Sequence, residues 1–220
     1  MSVALFDLDN TLLDGDSDYQ WGRFLVDEGV VDGQLYEQQN RQFFAQYKAG
    51  SLDIHEFARF VYKPLAENTL EHLYRLRDRY VRERIRPMIL KQAVALLEEH
   101  RSLGDLLVII TSTNRFITEP IAAELGVNTL IATEPEFRDG RYTGELAGIP
   151  CFQQGKVTRF RMWLKETGNH LDGSWFYSDS HNDIPLLEKV THPVAVDADE
   201  QLQEYAHKRG WPTISLRGHT

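Results

Sequence analysis

The 220-residue chain contains a single cysteine, Cys151, so it can form neither an intrachain disulfide nor a zinc site built on several thiolates. It has no run approaching the ~20 apolar residues of a membrane span. It also lacks a basic, apolar leader, because two aspartates interrupt its first hydrophobic stretch. A cytoplasmic protein is expected, with no membrane partner. The eight histidines are scattered without an HExxH pair, which removes the support for zinc chemistry. Neither a GxxxxGK(S/T) loop nor a GxGxxG loop is present, so a nucleotide-binding reading has no anchor. Basic residues are in deficit as well: 24 Lys and Arg stand against 33 Asp and Glu, a net charge of -9. A general nucleic-acid binder would need the opposite balance.

What remains is an ordinary globular composition, 42% hydrophobic and 26% charged, in a chain long enough for one large domain or two modest ones. Periodicity divides it into three parts. Residues 3–6 form a short apolar strand. Residues 16–86 turn helical, with Tyr19, Trp21, Phe24 and Leu25, then Phe43, Phe44 and Tyr47, then Phe57, Phe60 and Val61, then Leu70, Leu73, Leu76 and Tyr80. Breaks are expected at Gly50-Ser51 and at Lys63-Pro64. After Pro87 strands and helices alternate: a helix over 88–100, a strand over 106–110, a helix over 116–125 and a strand over 130–132. An Asp139-Gly140 hairpin turn, a helix over 156–165, a strand over 175–177, a helix over 184–189 and a strand over 193–196 follow. Alternation of this kind predicts a parallel sheet covered on both faces, an α/β fold. About 70 helical residues inserted directly after the first strand suggest a lid over the strand ends, where open parallel sheets bind ligands.

Four strand ends carry chemistry-bearing residues. The first reads Phe6-Asp7-Leu8-Asp9-Asn10-Thr11. A calcium loop counted from Asp7 fails, since its sixth position is Leu12 and its twelfth Asp18. An aspartic-protease pair fails too, because neither aspartate sits in the Thr/Ser-Gly turn that pair needs. The second is Thr111-Ser112-Thr113-Asn114, which offers hydroxyls and amides to an anion and could equally cap a helix. The third is Lys156 at a helix start, where a cation opposes the helix dipole; a solvated surface lysine is the plain alternative. The fourth is Ser178-Asp179-Ser180-His181-Asn182-Asp183, with His181 read as a loop residue. Each has an ordinary explanation alone. Asp/Asp, Thr, Lys and Asp/Asp in that order do not.

This ordered set resembles the haloacid dehalogenase-like hydrolase superfamily, subfamily IB, in its phosphoserine-phosphatase-like branch. The resemblance spans nearly the whole chain, departing where Ser178-Asp179-Ser180 replaces the branch's frequent Gly-Asp-Gly. It implies a Rossmann-like parallel sheet core, residues 1–15 and 87–220, with an α-helical type-1 cap over 16–86. The implied activity is Mg²⁺-dependent hydrolysis of a small phosphorylated metabolite. Asp7 becomes the nucleophile, forming an aspartyl-phosphate, and Asp9 the general acid/base. Asp7 and Asp179 hold the metal through carboxylates and Asp9 through its carbonyl. Thr111, Lys156 and amides at Leu8, Ser112 and Thr113 bind the phosphoryl oxygens, with Asn182 beside them and Asp183 supporting Lys156. Asp at position 9, where related ion pumps carry Thr, favours hydrolysis over a long-lived phosphoenzyme. A phosphotransferase using the same residues stays open, as does a binding protein of this fold with little turnover. The oligomeric state is not legible.

The same branch places a glutamate near the first motif on the substrate amine and an arginine of the cap on its carboxylate. Asp16 falls at the first position and Val61 at the second, with Arg59 rotated about 200° away along a helix. Asp16 could equally be a simple helix cap. An anion without its cationic partner predicts an amino-alcohol phosphate, such as histidinol phosphate or phosphoethanolamine, in preference to phosphoserine, since an unpaired carboxylate is costly to bury.

Overall fold

The structure, a computed structural model, describes residues 2–218. Strand β1, Val3–Phe6, lies at the centre of a seven-stranded sheet of order β4-β3-β2-β1-β5-β6-β7. Its neighbours are β2 (Leu106–Asn114) and β5 (Trp175–Ser178), both parallel to it. Outside them run β3 (Thr129–Arg138) on one side and β6 (His192–Val196) with β7 (Thr213–Ile214) on the other. Only β4, Arg141–Ala147, is antiparallel, as the returning arm of a hairpin with β3. Asp139 and Gly140 both take positive φ in that turn, the conformation for which Asp-Gly is selected.

The alternation of side chains along a strand gives β1 two buried faces. Val3 and Leu5 enter one apolar cluster with Val108, Ile110 and Phe176; Ala4 and Phe6 enter the other with Leu107, Ile109 and Tyr177. Phe6 stacks on Tyr177 at 5.1 Å. Cutting a fully buried aromatic of this kind to Ala typically costs about 3–5 kcal/mol. The first cluster is closed by α7 (Gln154–Thr167), α8 (Ile184–Leu187) and α9 (Glu200–Arg209), the second by α5 (Lys91–Ser102), α6 (Arg115–Glu124) and the inserted helices.

Those inserted helices are α1 (Ser17–Asp27), α2 (Gly33–Lys48), α3 (Ile54–Glu67) and α4 (Leu70–Tyr80), all between β1 and β2. Asp16, Asp32, Asp53 and Thr69 cap them with side-chain oxygens. The break expected at Lys63-Pro64 is absent: Pro64 lies inside α3, whose Ala58, Val61, Tyr62 and Leu65 are all buried. That packing outweighs the hydrogen bond a proline forfeits, and the helix stops instead at Asn68, whose Nδ2 donates to Pro64 O at 2.9 Å. Strand β2 runs on to Asn114, past the expected end at Ile110, because it resumes pairing with β3 after a register shift. Helix α9 and strand β7 were not predicted. Helix α9 buries only Leu202 and Ala206, a weak periodic signal, and β7 is two residues long.

Candidate active site

All three central strands run in the same direction, so Asp7 and Asp179 leave β1 and β5 at their carboxyl ends, while Thr111 lies within β2 level with the residues just past β1. The Asp7 amide still donates to Tyr177 O at 2.9 Å, which prolongs the β1–β5 pairing into the loop. The Asp7 carboxylate then meets Lys156, whose Nζ lies 2.8 Å from Asp7 Oδ1 and 2.7 Å from Asp183 Oδ2. All three are buried. Burial lowers the proton affinity of Lys156, but Asp183 and Asp7 outweigh it and hold the ammonium charged. Asp7 is pushed up to about 7 by burial, with Lys156 pulling the other way.

Lys156 reaches this position because its helix starts unusually. A Cβ at Gly155 would come within 2.1 Å of Pro150 O, so only glycine lets the first turn of α7 tuck against that loop. The preceding Gln153 adopts φ 47°, a left-handed strain point, and its Nε2 donates to Asn182 Oδ1 at 2.9 Å. The lysine's awkward place at a helix start is thus resolved by two carboxylates.

Thr11 Oγ1 lies 3.2 Å from Asp179 Oδ1 and 3.5 Å from Asp7 Oδ2, and accepts from the Asp179 amide at 3.1 Å. Two carboxylates therefore share one hydroxyl. Burial, then repulsion from Asp7 and Asp183, drives Asp179 well above the usual carboxylate range. Negative charge gathered on hard oxygens and short of a counter-charge fits a divalent cation of the Mg²⁺ type. Among the described residues no group of three His, Cys, Asp or Glu side chains forms a complete metal cage. Asp9 does not supply a third carboxylate: its Oδ1 accepts from Ser17 N at 2.6 Å and its Oδ2 from Thr113 Oγ1 at 2.7 Å. Only its main-chain carbonyl is left for that role. Burial raises Asp9 to about 6, within reach of a neutral-pH proton donor and acceptor.

A cleft opens in front of these groups, between the strand ends and the helical insertion. Asp7, Asp9, Asp16, Ser112 and Thr113 line it, whereas Leu8, Thr111, Lys156, Asp179, Asn182 and Asp183 lie outside its wall. The Leu8 side chain is wholly in the core, so only its backbone can face a phosphate. The Thr113 hydroxyl is turned to Asp9, and its amide, the group expected to face a phosphoryl oxygen, donates to Thr111 Oγ1 at 3.2 Å. Asn182 meets Gln153, and its Nδ2 approaches Tyr47 O of the insertion at 3.4 Å. His181 binds Asp199 at 2.7 Å.

Asp16 has the helix-cap role that is one of its two readings, and it also stands where a ligand could reach it. It caps α1 by accepting from Tyr19 N at 2.8 Å, and it lines the cleft. Arg59 is exposed and outside the wall, and Val61 packs into the apolar core, so α3 offers the cleft Ile54 and Phe57 and no charge. The residues that sequence reasoning missed are Asp18 and Asn40, and the aromatic walls Phe43, Tyr47, Phe57 and Phe152. By spacing Phe43, Tyr47 and Phe57 belong to the apolar faces of the insertion, and no periodicity separates a cleft-facing ring from a core-facing one. The wall therefore holds four aspartates and several aromatic rings, with no Lys, Arg or His among its described residues.

The model of the haloacid dehalogenase-like hydrolase family matches residues 4–188. A histidinol-phosphatase of Neisseria meningitidis is 40% identical over 98% of this chain and 99% of its own length. The crystal structure of a Bordetella pertussis protein of unknown function superposes with a TM-score of 0.92 at 44% identity, covering 98% of each chain. A substrate-bound phosphoserine phosphatase shares the fold, with a TM-score of 0.72 at 19% identity over 97% of this chain and 92% of its own.

Proposed function

The chain belongs to the haloacid dehalogenase-like hydrolases, and from that membership we propose that it is specific for the phosphate monoester of a small alcohol with a cationic, nitrogen-bearing head. It is a phosphomonoesterase. Histidinol phosphate is the substrate this reading favours, and a relative aligned along 99% of its own length carries the name histidinol-phosphatase. The observation that carries this specificity is the wall of four aspartates and aromatic rings without one cationic side chain. Such a wall attracts an ammonium and offers π-faces to a planar or cationic group. It leaves the carboxylate of phosphoserine unpaired.

In this reading residues 16–86 act as a cap over a core of 1–15 and 87–220. Asp7 attacks phosphorus, and the P–O bond to the alcohol breaks as Asp9 gives its proton to the leaving oxygen. Asp9 then takes a proton from water, whose oxygen attacks the aspartyl-phosphate, releasing phosphate and regenerating the Asp7 carboxylate. Lys156 is held charged beside Asp7 by Asp183, where it favours negative charge developing on the phosphoryl oxygens. Asp7 and Asp179, with the Asp9 carbonyl, would hold Mg²⁺, which when bound offsets the charge of a dianionic phosphate and orients it. Buried, free Cys151 fits the reducing cytoplasm expected for the chain.

The test is kcat/KM for histidinol phosphate, phosphoethanolamine and phosphoserine with Mg²⁺ present. Histidinol phosphate should lead and phosphoserine trail. A clear lead for phosphoserine would reject the specificity.

A further inference from the structure

At the insertion end of the cleft stands an acid that the phosphate chemistry does not use. Asp18, in the first turn of α1, is buried and faces the cleft. Its Oδ1 accepts from Asn114 Nδ2 at 3.2 Å, and Asn114 is itself tied down as the cap of α6. The carboxyl is thus fixed by the end of β2, leaving its second oxygen to the cleft. Helix α2 brings Asn40 to the same wall, only 9% exposed, with its amide unpartnered among the described residues. Phe43, one turn further along α2, meets Phe57 edge to face at 5.4 Å and gives that wall its apolar surface.

The Asn40 amide and the second Asp18 oxygen have no protein partner among the described residues, yet neither is a fully buried unpartnered atom, so both are open to the cleft, where a ligand of matching chemistry can replace water on them. Asp16 already provides the anion that a single ammonium requires. Asp18 has no cation of the wall to pair with, and burial drives its proton affinity well above the usual carboxylate range, with Asp16 and Asp9 adding to it. An imidazole ring has the matching inventory: one N–H to give to a carboxylate, one bare nitrogen to accept from an amide, and a flat face for aromatic walls.

We propose that Asp18 and Asn40 form a second head-group subsite that binds an N–H heterocycle of the imidazole class, so that the preferred substrate carries two nitrogen groups, an ammonium at Asp16 and a ring at Asp18 and Asn40. This subsite rests on the reading of the cleft as a cation site, and deepens it. Asp18 and Asn40 decide which alcohol phosphate is chosen, while the reacting groups remain those around Asp7.

The experiment is the ratio of kcat/KM for histidinol phosphate over that for phosphoethanolamine, which lacks the ring, in wild type, Asp18→Asn and Asn40→Leu. Each substitution should lower that ratio at least about tenfold, the order expected when one hydrogen bond to the ring is lost. A general loss of structure lowers both substrates together and leaves the ratio where it was. An unchanged ratio in both variants would overturn the subsite while leaving the cation reading in place. If only one variant yields folded protein, its ratio alone decides. Wild-type preference for phosphoserine over both amines would overturn the cation reading itself, and the subsite with it.

Discussion

Thr113 Oγ1 donates to Asp9 Oδ2 at 2.7 Å, and this pair, with the Ser17 amide on the other oxygen, sets the direction of the Asp9 carboxyl. Asp7 and Asp9 are one residue apart, yet they are held by different parts of the molecule. Lys156 of α7 and Thr11 hold Asp7, while the end of β2 and the start of α1 hold Asp9. A phosphoryl group between them would meet a nucleophile from one side and a proton donor from the other.

Thr113→Val removes the hydroxyl and keeps the shape. Asp9 then loses one of its two fixed partners, and kcat should fall about 10-fold or more, a part of the roughly 10²–10⁴ that general acid–base catalysis typically contributes. Thr113→Ser should restore most of it. Quenching the reaction in acid and counting phosphoenzyme checks the cause: with Asp9 proposed as the base of the hydrolysis step, the valine variant should accumulate more aspartyl-phosphate than wild type. Equal phosphoenzyme levels in the two variants would refute the positioning role.

Asp7→Asn should abolish turnover while the protein stays folded, since the amide keeps the shape and loses the anion. Asp9→Asn should lower kcat by about 10²–10⁴. Steady-state assay beside circular dichroism tests both. Substantial activity in folded Asp7→Asn would rule out a covalent intermediate on that residue.

Lys156→Met tests stability as well as activity. It leaves Asp7 and Asp183 facing one another in the core, where breaking a buried ion pair typically costs 3–5 kcal/mol, on the order of the whole stability margin of many domains. Adding Asp183→Asn should recover part of that loss, although Asp183 also accepts from Ser178 Oγ at 2.7 Å. Denaturant midpoints of the single and double variants measure the recovery. A double variant less stable than Lys156→Met would show that Asp183 serves chiefly Ser178.

Metal removal should stop the reaction, Mg²⁺ should restore it, and Ca²⁺ should serve poorly, because calcium prefers a larger, looser oxygen shell. Full activity in excess chelator would exclude Asp7 and Asp179 as ligands of an essential ion.

The pH dependence of stability follows from carboxyls whose affinity for protons is raised on folding. Asp9 rises from 3.8 to about 6 and Asp7 from 3.8 to about 7, both first through burial. The folded state therefore binds protons more tightly than the unfolded one. Their contribution is fully present below about pH 4 and is lost as pH rises through the 6–7 range. Asp18 acts in the same direction. Without metal, Asp18→Asn should be more stable than wild type at pH 7, by about 1–2 kcal/mol, with the gap closing as the solution is acidified. Melting temperatures of both proteins in chelator from pH 4.5 to 8 supply the comparison; a gap that widens on acidification would contradict the burial argument.

Much of this protein was decided locally. An apolar tetrad ending in Asp7-Leu8-Asp9, the alternation of strand and helix after Pro87, and the helical periods between them are short-range patterns, and they defined an α/β sheet with an insertion over its strand ends. The order of Asp7, Thr111, Lys156 and Asp179 pointed to phosphoryl chemistry before any coordinate, because few functions need that set. Local pattern misled where tertiary packing outweighed it, as at Pro64, which the buried face of α3 carries through the helix. The direction of individual side chains belonged to the tertiary structure alone. The Thr113 hydroxyl meets Asp9 because β2 runs four residues further than its apolar core, bringing it within 2.7 Å of an acid 104 residues away in sequence. Asp18, Asn40 and Phe43 became one wall only when α1 and α2 folded together over the strand ends. Chemistry that depends on residue type is written along the chain; specificity depends on which surfaces face one another, and only packing decides that.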